Sequence, residues 1–105
     1  MTQFKVETKA NFWEQREAIL RAIFPERQEF PSDGVEVDGV IVDTYHGGVS
    51  LTVRWFGFKR RSIFRRVAIQ KDGTLDLDAV ARKLDEMRLL AKEHVESRER
   101  ARRER

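Results

Sequence analysis

The chain contains no cysteine in 105 residues, which excludes disulfides and thiolate metal sites and fits a reducing compartment. Its only histidines, His46 and His94, do not stand at ligand spacing, so the sequence offers no imidazole pair for a metal. No apolar run approaches the roughly 18 residues that a membrane-spanning helix needs, and the N-terminal MTQFKVETK lacks the apolar centre of a signal peptide. A cytoplasmic protein with no membrane partner is expected. Phosphate-cradling glycine patterns are missing too, because Gly47-Gly48 leads into a strand pattern, not a helix. Asp38 and Asp43 read as a turn former and an exposed strand residue rather than as paired catalytic carboxylates. The chain is therefore expected not to be an enzyme and to use no cofactor or metal.

What the chain has in abundance is charge. Charged residues make up 37% and hydrophobic residues 40%, a balance suited to one core inside a heavily charged exterior. The net charge of +3 conceals a segregation. Residues 1–53 hold five basic and nine acidic side chains, whereas residues 54–71 hold seven basic and no acidic ones. Charges clustered within a Debye length of about 8–10 Å reinforce one another, so this segment favours an anionic partner.

Periodicity sets out the elements. In NFWEQREAILRAIF, Asn11 and Glu14 form a capping-box pattern, and Phe12, Trp13, Ile19, Leu20, Ile23 and Phe24 fall along one broad apolar stripe. This predicts a helix over about 12–24, stopped by Pro25. Phe4 and Val6 alternate with polar residues, which suggests an extra short strand at 3–7.

From Val35 the period becomes two, predicting an antiparallel four-stranded meander over about 35–37, 40–46, 49–57 and 61–70. Asp38-Gly39 is a type I′ hairpin signal that pairs Val37 with Val40 and Val35 with Val42. A two-residue turn at Gly47-Gly48 would pair His46 with Val49, Thr44 with Leu51, Val42 with Val53 and Val40 with Trp55. For the third hairpin an odd-length loop collects the apolar residues on one face, setting Trp55 opposite Ile63, Leu51 opposite Val67 and Val49 opposite Ile69. The cost is that Arg65 falls on the apolar side and must reach out along its stem or meet an acid.

After the turn at Lys71-Asp72-Gly73, Asp76 is the expected N-cap of a second helix over about 77–100, with Leu75 and Val80 as its hydrophobic staple. Leu77, Val80, Ala81, Leu84, Met87, Ala91 and Val95 form its stripe. The expectation is thus an α+β fold with both helices on one face of the sheet. Residues 1–95 form the single domain, and 96–105 form a charged helical extension or frayed tail. A helix continuing to about Arg103 would be roughly 40 Å long, against a diameter of about 33 Å for a chain of this size, so part of it would overhang.

The uncovered sheet face would carry Glu36, Ile41, Asp43, Tyr45, Ser50, Thr52, Arg54, Phe56, Phe64, Arg66, Ala68 and Gln70. Within RWFGFKRRSIFRR, Arg54 is expected opposite Phe64, with Phe56 and Arg66 as neighbours and Lys59, Arg60 and Arg61 in the adjoining loop. Aromatic rings and guanidinium planes can stack on bases while a basic loop meets phosphates. These residues, joined by Arg100 and Arg103 of the tail, are the candidate site of a small nucleic-acid-binding accessory or regulatory protein, for DNA or RNA. The alternative is an adaptor or inhibitor that turns the same basic surface to an acidic protein. Edge strands also carry Lys and Arg simply to resist aggregation, and Phe56 and Phe64 would be core residues if the first helix covered this face. Met87, Leu90, Ala91 and Val95 are candidates for homodimer formation through the second helix.

Overall fold

Two helix caps and two glycine turns build the frame. The Asn11 Oδ1 accepts the Glu14 backbone N–H at 2.9 Å and its Nδ2 donates to Glu14 Oε1 at 2.8 Å, starting helix α1, Phe12–Ile23. Asp76 Oδ1 accepts the Ala79 N–H at 3.1 Å and starts helix α2, Leu77–Arg103. The computed structural model describes residues 3–7, 9–55 and 61–103. Between the helices run strands β2 (Val35–Val37), β3 (Val40–Tyr45), β4 (Gly48–Trp55) and β5 (Arg61–Ala68), forming one antiparallel sheet in that order. A second, two-stranded sheet pairs β1 (Gln3–Lys5) with β6 (Thr74–Asp76), setting Phe4 opposite Leu75. The short first strand agrees with expectation. Its partner was not anticipated, because 74–76 reads as the run-in to a helix. At the turn before β6, hydrogen bonds from the Thr74 hydroxyl and backbone N–H hold the exposed Asp72 carboxyl below its ordinary pKa.

Asp38-Gly39 makes the first hairpin as its type requires, with φ of 48° and 86°, and gives the expected pairs Val37↔Val40 and Val35↔Val42. The second hairpin is displaced from expectation by two residues: Tyr45 pairs with Gly48, Thr44 with Val49, Val42 with Leu51 and Val40 with Val53. The expected turn holds both glycines, but Gly48 is a strand residue paired with Tyr45. A Cβ there would stand 2.2 Å from the Val67 carbonyl oxygen, so β4 needs glycine to let β5 approach. The third hairpin has the expected odd parity but carries the same two-residue displacement, pairing Trp55 with Arg61, Val53 with Ile63, Leu51 with Arg65 and Val49 with Val67. A displacement of two leaves every side chain on its expected face and changes only its neighbours.

That parity fixes the core. Val35, Val40, Val42, Val49, Leu51 and Val53 on one sheet face join Ile19, Leu20 and Phe24 of α1 and Val80, Met87 and Ala91 of α2 in one buried cluster. Trp13 departs from the expected α1 stripe and is 63% exposed. Arg65 lies on the covered side, as the parity demands, but β5 is an edge strand. Its side chain stays exposed and donates to the Phe64 carbonyl at 2.9 Å. Helix α2 passes the β2–β3 turn where Arg88 pairs with Asp38 at 2.5 Å, and a Cβ on Gly39 would lie 3.2 Å from that of Ala91. Beyond Ala91 the helix continues for about 18 Å, and the molecule measures 55 × 27 × 25 Å.

Candidate functional site

The second sheet face lies opposite the core cluster; the connection before β2 packs on its β3 side, where a Cβ on Gly34 would stand 2.6 Å from Ile41 Cγ2, and Ser50 at its centre is buried. Ile41, Thr52 and Tyr45 are half-buried there, while Glu36, Phe64, Arg66 and Ala68 are exposed. Phe64 and Arg66 are two apart on β5 and so share this face, and Ser50 of β4 lies opposite Arg66. Tyr45 reaches them from β3 because its partner is Gly48. With no side chain at that position the phenol lies across β4, and a Cβ on Gly48 would stand 3.1 Å from the Tyr45 oxygen. The result is a ladder. The Arg66 guanidinium sits 5.0 Å from the Tyr45 ring centre and 4.9 Å from that of Phe64, within the range of cation–π attraction.

Among the described residues no carboxylate forms an ion pair with Arg66. The acid nearest in register is Asp43, which flanks Ser50 on β3 and is taken by Arg16 of α1. Arg16 is 6% exposed; its Nε donates to Asp43 Oδ1 at 2.8 Å and its Nη2 donates to the Pro31 carbonyl. The sheet face therefore keeps a positive, planar group beside two rings, with Asp43, the acid nearest to it in register among the described residues, already engaged. Shallow Gly48, Ser50 and Thr52 positions run between Tyr45 and Phe64.

Not all the expected residues meet here. Arg54 pairs with Ser62, and Phe64 with Thr52, so Arg54 and Phe64 are not opposite one another as expected; the two-residue displacement separates them by one pair. Arg61 is the first residue of β5 and pairs with Trp55. Phe56, Lys59 and Arg60 lie outside the described residues. Arg100 and Arg103 are exposed on the projecting part of α2, beside Glu96 and Glu99 around a depression of about 190 Å³, and the sheet separates that helix from Arg66. Met87 and Ala91, 1% and 6% exposed, face the monomer's own core and so are not free to pair copies. Leu90 is half-buried and packs on the core, and the Val95 side chain lies outside the described residues.

Two features escaped sequence reasoning. Tyr45 was placed on the right face by parity, but its reach across β4 depends on the partner being Gly48, which only the observed register shows. The other is a cleft of about 500 Å³ lined by Trp13, Arg16, Glu17, Gln28, Glu29, Phe30 and Pro31. Nothing in the segment ERQEFPSDG marks Phe30 and Pro31 as its wall. His46 packs beside Phe12, ring centres 5.0 Å apart, and among the described residues no cluster of histidine and carboxylate side chains could hold a metal ion. None of the described helices is long and apolar enough to cross a membrane. The chain matches no protein-family model, no curated protein sequence and no solved structure.

Proposed function

We propose that this chain is a small non-enzymatic nucleic-acid-binding protein, an accessory or regulatory factor that presents the open sheet face and the basic β4–β5 hairpin to a polyanion. The observation that carries the reading is Arg66, held against the Tyr45 and Phe64 rings on a face that no described helix covers. A guanidinium with no carboxylate partner among the described residues suits phosphate, and the exposed ring beside it suits a base. The surrounding segment 54–71, with seven basic and no acidic residues, adds attraction that does not depend on sequence.

Equilibrium binding to labelled oligonucleotides over a range of salt concentrations tests this. Replacing Arg60 and Arg61 together with Ala removes two charges and is expected to flatten the slope of log affinity against log salt by roughly 1–2. An unchanged slope removes the hairpin from the interface. Competition separates the reading from an acidic protein partner: a generic polyanion displaces the nucleic acid, whereas a shape-specific protein complex resists it.

A further inference from the structure

We infer that the preferred ligand of the open face is single-stranded nucleic acid, whose unpaired bases stack on Phe64 while the Arg66 guanidinium, held against the Tyr45 and Phe64 rings, pairs with phosphate; this rests on the nucleic-acid reading above. The shape of the face points there. Phe64 is 41% exposed, a large apolar ring left in water on a side the core does not use. The Arg66 guanidinium lies over rings at 5.0 and 4.9 Å, and β4 beneath contributes the small residues Gly48, Ser50 and Thr52, the first two of them buried. From Tyr45 on β3 to Phe64 on β5 the platform spans two strand spacings, about 10 Å, room for one or two bases.

A duplex cannot use this surface well. Strands can enter a duplex groove to read base edges, but the faces of its bases are stacked on one another and closed to the Phe64 ring. Against the outside of a duplex, Phe64 would face phosphates and gain no burial. A single strand offers π-faces with no base pairs to break, and stacking on an aromatic ring tolerates any sequence. Arginine serves this role better than lysine because its planar group can stack and pair with phosphate at once.

The test is fluorescence anisotropy of the full chain with a labelled oligodeoxynucleotide of about 20 residues, its duplex and the matching oligoribonucleotide, at one low salt concentration. The single strands are expected to bind at least about 10-fold tighter than the duplex, the two single-stranded arms showing whether the 2′-hydroxyl matters. Phe64→Ala is expected to lower single-strand affinity by about 5- to 100-fold and leave duplex binding unchanged, while Phe64→Trp retains it. Arg66→Lys is expected to weaken single-strand binding without changing the salt slope, because charge is kept and planarity lost. Thermal melts confirm that each variant is folded. Duplex binding as tight as single-strand binding, or equal losses on both from Phe64→Ala, would overturn the single-strand inference and leave the general reading intact. Absence of binding to every oligonucleotide would overturn both.

Discussion

Replacing Arg16 with methionine tests how α1 is tied to the margin of the sheet. Arg16 belongs to α1, whose Ile19 and Leu20 pack on the covered side of the sheet, yet its guanidinium pairs with Asp43, whose strand position belongs to the other side. The contact is made where β2 has ended: pairing with β3 stops at Val35↔Val42, so β3 from Asp43 onward has no β2 neighbour. Arg16 thus ties α1 to the margin of the sheet and, through the Pro31 carbonyl, ties in the connection before β2. Methionine keeps the apolar stem and removes the charge. Breaking a fully buried pair costs about 3–5 kcal/mol, and a charge-assisted hydrogen bond contributes about 1.5–3 kcal/mol. The Asp43 side chain is 27% exposed and still accepts the Thr44 N–H at 2.8 Å, so water and that bond recover part of the loss. The expected destabilisation is about 2–3 kcal/mol, out of a total of about 5–15 kcal/mol for a domain, moving the urea midpoint down by about 1–2 M. A double-mutant cycle with Asp43→Asn should return a coupling of about 1–2 kcal/mol. A loss under about 0.5 kcal/mol, or two strictly additive substitutions, would refute the pair as the tie that positions α1.

Two further substitutions probe the register and the core, and both are read by thermal melting. Gly48→Ala puts a Cβ 2.2 Å from the Val67 oxygen and 3.0 Å from the Ala68 Cα, both backbone atoms, and is expected to cost about 3 kcal/mol or more. A wild-type melting temperature would mean that β4 and β5 do not approach as closely as described. Thr44→Val should act in the opposite sense. The Thr44 hydroxyl is buried with no hydrogen-bond partner among the described residues, so an isosteric apolar side chain should stabilise the fold by about 1 kcal/mol, raising the melting temperature by about 4–8 °C; an unchanged or lower value would mean that the hydroxyl is satisfied.

Local chemistry made much of this fold legible. Asn11 and Asp76 announce their helices because a capping side chain satisfies backbone groups within three residues of itself, and Asp38-Gly39 announces its hairpin because the type I′ turn needs positive φ at both positions. Alternation sorted the strand residues onto the correct faces, since a displacement of two cannot exchange them. It could not place Arg54 relative to Phe64, because that depends on the β4–β5 register, for which FGFKRRS offers no single turn type.

The sequence by itself determined the class of fold, the face on which each strand residue lies and the focusing of positive charge between Arg54 and Lys71, all of which follow from short-range periodicity and composition. Only the tertiary structure decided the register of β4 on β5, that the connection before β2 packs against Ile41 and Asp43, and that Tyr45 lies across Gly48 to meet Arg66. Those outcomes depend on contacts between residues far apart in the chain, where Gly48 and Val67 or Arg16 and Asp43 must meet before either has a reason to be there.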